Sequence, residues 1–197
     1  RIHMGYDEKI FKAKANIKAR RLWLVFAILL TANYGTDTAN GAYSVSNYII
    51  FVILCWLPFV CGDILLKRKG KDNDHYRLAF VIGYGIFYVF LLCTTTSPIA
   101  FTYILPIISL IVIFKDEKFM IYCAVANMLS LIASIAFHIF VLGQNTAIDH
   151  KNYQLQIACL LLCYIGYIMS VRHLTESDAA LTESIKSDLN RVVTTVE

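Results

Sequence analysis

YIIFVILCWLPFVCGDILL (residues 48–66) runs directly into KRKGK (residues 67–71). The first part carries one charge, Asp63, and is close to the roughly 20 helical residues that a hydrocarbon core of about 30 Å requires. A cluster of Lys and Arg closing such a run marks its cytoplasmic end, because short basic loops are retained inside. Outward from this stretch, apolar runs recur at residues 20–36, 77–95, 98–114, 119–142 and 154–172, so that six are present. Seventeen of the eighteen Lys and Arg lie at or before the start of the first run, between the second and third, between the fourth and fifth, or beyond the sixth. The links at 37–47, 95–97 and 143–153 hold Lys151 and no other basic residue. This alternation predicts an all-α integral membrane bundle of six transmembrane helices, N-in and C-in, with a cytoplasmic coiled-coil helix continuing from the last span.

A hydrophobic fraction of 58% fits a bilayer partner. The net charge of +4 reads as topology and attraction to anionic lipid, with no nucleic-acid partner. The first run is the least apolar, since Thr31, Asn33, Tyr34, Thr36 and Asp37 follow soon after Leu22–Leu30. The basic residues before it and their absence after it still require a crossing, and it lacks the small-residue cleavage site of a signal peptide. Ahead of it, Tyr6, Ile10, Ala13 and Ile17 form an amphipathic stripe among lysines. Residues 1–21 are therefore expected to be an interfacial helix, lying on the inner leaflet or leading into the first span. Arg1–Gly5 carry no weight in this reading.

The six cysteines all fall within the apolar runs and form no C-x-x-C, so small packing residues are expected. No phosphate-binding glycine loop, metal-ligand cluster, nucleophile motif or carboxylate pair appears, which predicts a non-enzyme without cofactors. Pro58 and Pro106 should kink the second and fourth spans, while Pro98 opens the fourth. Gly83 and Gly85 offer a small-residue face for helix contact. Asp63 is expected to reach the interface or pair with Lys67 one turn on.

Polar groups within the runs gather toward the outside. His138 stands about one turn from the outer end of the fifth run, as a ligand contact, a pH sensor or an interhelical hydrogen bonder. Asn33 and Tyr34 close the first run, Tyr103 enters the fourth, and Tyr164 lies in the sixth. These five residues are candidate lining for a shallow ligand pocket opening outward, or else members of an interfacial aromatic belt.

From Leu174 to Glu197 the chain turns polar without Gly or Pro. Leu174, Leu181, Ile185, Leu189, Val192 and Val196 recur at spacings of seven, four, four, three and four. That is a heptad-like stripe with a stutter, a device that locally unwinds coiled coils. It predicts a homodimer through the C-terminal helix.

Six spans, negligible outer loops and a helix leaving the sixth span resemble the membrane-embedded sensor region of bacterial signal transducers. The tail ALTESIKSDLNRVVTTVE resembles the start of the cytoplasmic coiled coil in methyl-accepting chemotaxis receptors. The resemblance implies a bacterial inner-membrane location and a sensor bundle over residues 22–172, feeding a signalling coil that begins at 173–197. A stimulus within or just outside the bilayer would pass through Arg172, Leu174, Leu181, Ile185, Leu189 and Val192 to a cytoplasmic signalling module or kinase. Two further readings stand beside it: the sensor of a histidine kinase or diguanylate cyclase, and a small membrane transporter or channel subunit.

Overall fold

The computed structural model describes residues 2–95 and 97–196, with side chains from Glu8 onward. Tyr6 of the expected stripe, Thr96 and Glu197 lie outside the described side chains. Six α-helices follow the apolar runs, and no strand occurs among the described residues: α1 (Ile2–Ala39), α2 (Val45–Lys69), α3 (Tyr76–Thr94), α4 (Leu105–Ile111), α5 (Glu117–Phe140) and α6 (Ala147–Val196). Four of these, α2, α3, α5 and α6, are long and apolar enough to cross a membrane. They leave apolar side chains such as Ile53, Ile82, Leu129 and Leu162 exposed around the bundle, as a lipid solvent permits. Val25, Ile28 and Leu29 of α1 are exposed in the same manner.

Helix ends follow local chemistry. Ser44 caps α2, its hydroxyl accepting from Asn47 N at 3.2 Å, and Asp116 caps α5 by accepting from Phe119 N at 3.0 Å. Gly70 ends α2 at φ 94°, a conformation that any side chain would strain.

The amphipathic lead runs without a break into the first apolar run as α1. Its packed face is not the expected stripe: Ile10, Ala13 and Ile17 are half-buried, whereas Ala15, Asn16, Ala19, Trp23, Ala27, Leu30 and Tyr34 are buried. Small residues win that face because they allow close approach to α2 and α3. Trp23 fills the resulting space, edge-on to Phe59 at 5.4 Å and Phe80 at 5.6 Å. A Cβ on Gly83 would lie 2.7 Å from both Pro58 and Trp23, so Gly83 is a contact glycine. Gly85 meets nothing within 4 Å and has no such role.

The fourth apolar run departs most from expectation. Pro106 does not kink a continuous helix; it opens α4, preceded by a 3-10 segment at Ala100–Ile104 and followed by another at Val112–Phe114. Proline cannot donate back to Thr102, and the carbonyls ahead of it need other partners. Tyr84 and Tyr88 of α3 supply them, donating to Tyr103 O at 2.5 Å and to Phe101 O at 2.8 Å. Because 3-10 turns rise faster than α-turns, the fifteen residues 100–114 span about 26 Å.

Candidate functional site

The bundle has two unlike ends. At the end carrying the turns near 40–44, 97–99 and 141–146, a cavity of about 480 Å³ lies between α1 and the first 3-10 segment. Asn33, Tyr34 and Tyr103 line it, together with Asp37, Tyr43 and Thr102. Tyr34 is stacked between Tyr43 (4.3 Å) and Phe51 (4.5 Å), which fixes its ring as a rigid wall. Its hydroxyl is buried without a hydrogen-bond partner. Asp37 is the one formally charged group among the described lining residues, so the cavity favours neutral or cationic occupants of small-molecule size.

His138 lines a separate, narrower cavity with Leu92, Ser97, Asp149, Tyr153 and Gln156. Its Nε2 faces Leu92 O at 2.7 Å and its Nδ1 faces Gln144 Oε1 at 3.0 Å, joining α5 to α3 and to the α5–α6 turn. Tyr153 of α6 donates to Gln144 O at 3.0 Å, and Gln156 donates to Pro98 O at 2.7 Å. The start of α6 is thus tied to both neighbouring turns. Burial pushes the Tyr153 phenol upward from its ordinary range, with Asp149 adding to the effect.

Tyr164 belongs to neither cavity. It lies deeper, accepting from Asn127 Nδ2 at 2.7 Å, in a small space shared with Tyr84, Tyr88 and Cys123. Asn127 Oδ1 is buried and has no partner within the chain. The five candidate residues therefore divide three ways: Asn33, Tyr34 and Tyr103 together, His138 beside them, and Tyr164 below. Asn127, Tyr84 and Tyr88 escaped the sequence reading. The available signal was polar side chains at i, i+4 within an apolar run (Tyr84 and Tyr88), and a lone Asn inside another.

The basic end is held by charge. Asp63 pairs with Arg20 of α1 and not with Lys67, accepting from Nε at 2.6 Å and Nη2 at 3.1 Å. A fork-shaped guanidinium on a facing helix offers two aligned donors, which a lysine one turn along the same helix cannot match. Asn16 anchors the α2–α3 turn by donating to Lys71 O and Asn73 O, both at 2.8 Å. Where α6 leaves the bundle, Arg172 donates to Glu117 at 3.0 and 2.5 Å, and Lys115 donates to Asp178 at 2.5 Å. The Arg172 guanidinium holds the Glu117 carboxyl below its ordinary range. Beyond these clamps α6 continues alone. Every residue from Arg172 to Val196 is exposed, including Leu174, and Leu181, Ile185, Leu189 and Val192 are each more than half exposed.

Compared with protein-family models, with curated proteins and with solved structures, the chain matches none.

Proposed function

We propose that this chain is a transmembrane sensory module: six crossings of a bacterial inner membrane, both termini cytoplasmic, with α6 carrying the signal out to a dimeric coiled coil. The observation that carries the reading is α6 itself, one unbroken helix over Ala147–Val196. At about 1.5 Å per residue it reaches some 75 Å. Tyr153 and Gln156 tie its start to the turns at one end of the bundle, and Arg172 and Asp178 tie it at the other. A rod fixed at both faces moves as a unit when either set of contacts rearranges, and its apolar tail stripe needs a partner.

The stimulus fits the cavity beside Tyr34: a small neutral or cationic compound with an apolar or aromatic face, taken from outside or from the bilayer. Occupancy shifts the balance between two packings of the α3–α4 turn, to which α6 is bonded through Gln156. The output is chemotaxis-type signalling, as the tail's resemblance implies, with a kinase or cyclase as the related alternative.

Disulfide cross-linking in membranes tests this, using single cysteines in a background with the six native ones replaced. Ile185→Cys and Leu189→Cys should form dimers much faster than Lys186→Cys, off the stripe. Equal rates at all three would remove the coil. Adding Asn33→Trp, which fills the cavity from an exposed position, should change the ratio of cross-linking at 185 to that at 189. An unchanged ratio would end the transmission reading.

A further inference from the structure

We propose that the cavity at the basic end is a binding site for a phosphate-bearing anion. It encloses about 460 Å³ between α1, the α2–α3 turn and the second 3-10 segment, within the range of ordinary ligand pockets. Lys12, Lys14, Lys18, Arg77 and Lys115 line it against two acids, Glu8 and Asp74. Three of the cations already have carboxylate partners: Lys12 with Glu8 and Asp74, Arg77 with Asp116 at 3.0 Å, and Lys115 with Asp178 at 2.5 Å. Lys14 and Lys18 have none among the described residues. Asn73, on the same wall, has its amide nitrogen buried without a hydrogen-bond partner. Two lysines without a carboxylate partner among the described residues thus line one cavity together with three further cations, which is the chemistry that recognises phosphate oxygens.

The surroundings are amphipathic. Phe11 is exposed beside Lys14, its ring 5.2 Å from the ammonium, and Phe114 closes the far wall. A phosphate on an anionic lipid headgroup meets both features, with its acyl chains along the exposed apolar faces; a free phosphate-bearing solute meets the charge alone. Lys115 belongs both to this cavity and to the tail clamp, so an anion seated there competes with Asp178 for it. That second step rests on α6 as the transmitting rod; the binding does not.

Two arms distinguish the sources. In the first, the intact protein is mixed with equimolar phosphatidylglycerol and phosphatidylcholine in detergent, and bound lipid is read by native mass spectrometry. In the second, protein in phosphatidylcholine nanodiscs is titrated with inorganic pyrophosphate, and broadening of its phosphorus resonance is followed. Lys14→Gln/Lys18→Gln is compared with Lys67→Gln/Lys69→Gln, whose exposed lysines do not line the cavity. Retention of phosphatidylglycerol that falls about tenfold in the first pair alone assigns a lipid headgroup; the same loss in the pyrophosphate arm assigns a free solute. Absence of selective binding in both arms, or equal loss in the control pair, overturns the proposal. Circular dichroism of each variant confirms that the helices are intact.

Discussion

The far end of the bundle is joined by uncharged donors and acceptors, and the basic end by ion pairs. At the far end His138, Gln144, Tyr153 and Gln156 bond to carbonyls and amides, and Tyr34 stacks between aromatic rings. At the basic end, Arg20–Asp63, Arg77–Asp116, Lys115–Asp178 and Arg172–Glu117 do the same work with charge. The difference follows from the sequence bias that places nearly all Lys and Arg at one set of turns: acids there find cations within reach, while the links of the far end hold Lys151 alone. It also gives the two ends different susceptibilities. Charge pairs respond to salt and pH, and neutral hydrogen bonds and stacked rings respond to what fills the space between them.

The largest break in this contrast is Arg20→Met. It leaves the Asp63 carboxylate facing α1 without its two donors and removes the guanidinium that covers the Phe59 ring at 5.3 Å. A fully buried pair would lose more, but these side chains are 37% and 27% exposed, so the expected cost is about 3 kcal/mol. Reversible unfolding in mixed micelles reads it. Arg20→Met/Asp63→Leu should recover most of the loss, since two matched apolar groups need no partner. A double variant as weak as the single one would mean that Arg20 acts through packing alone.

Tyr84→Phe tests the neutral side. It deprives Tyr103 O of its donor at the point where Pro106 has already removed a backbone partner. The expected cost is about 1.5 kcal/mol. Its distinguishing sign is indifference to salt: in molar salt, where the Debye length is about 3 Å, the Arg20→Met loss should shrink and the Tyr84→Phe loss should not. Equal salt responses would erase the distinction between the ends.

What the sequence disclosed, and what it withheld, divides along the same physical line. Apolar runs and basic turns are one-dimensional signals, and they located all six helical segments, including the weak first run that became the second half of α1. Partners across the bundle are not one-dimensional. Lys67 stood four residues from Asp63, yet Arg20, 43 positions away, holds it. Pro106 announced a disturbance, but whether it gave a kink or a 3-10 segment depended on Tyr84 and Tyr88 on another helix. The candidate pocket suffered likewise: polar and aromatic residues on four different runs implied one cavity, but Tyr164 lies deeper along its helix than the others and meets Asn127 instead. The tail stripe was legible because heptad spacing is a property of a single helix.

The smallest effect concerns that tail. With its pKa lowered by Arg172, Glu117 contributes to the clamp above the ordinary carboxylate pKa of about 4.3 and loses that contribution as the pH falls through its depressed value. The clamp is complete at neutral pH and opens in acid, below the ordinary carboxylate range. Asp178 forms a second ion pair beside this one, with Lys115, and Glu176, one turn beyond Arg172, also bears on the guanidinium. The measurement therefore uses an Asp178→Asn background, with a spin label at Leu181→Cys in membranes. Label mobility should rise as the pH falls below the ordinary carboxylate range, and Glu117→Gln should give the mobile spectrum at every pH. If Glu117→Gln kept the acid transition, the Arg172–Glu117 bond would bear no tension from the tail. If instead the transition disappears, the Arg172–Glu117 bond is a clamp on the exit of α6 whose strength the solution sets.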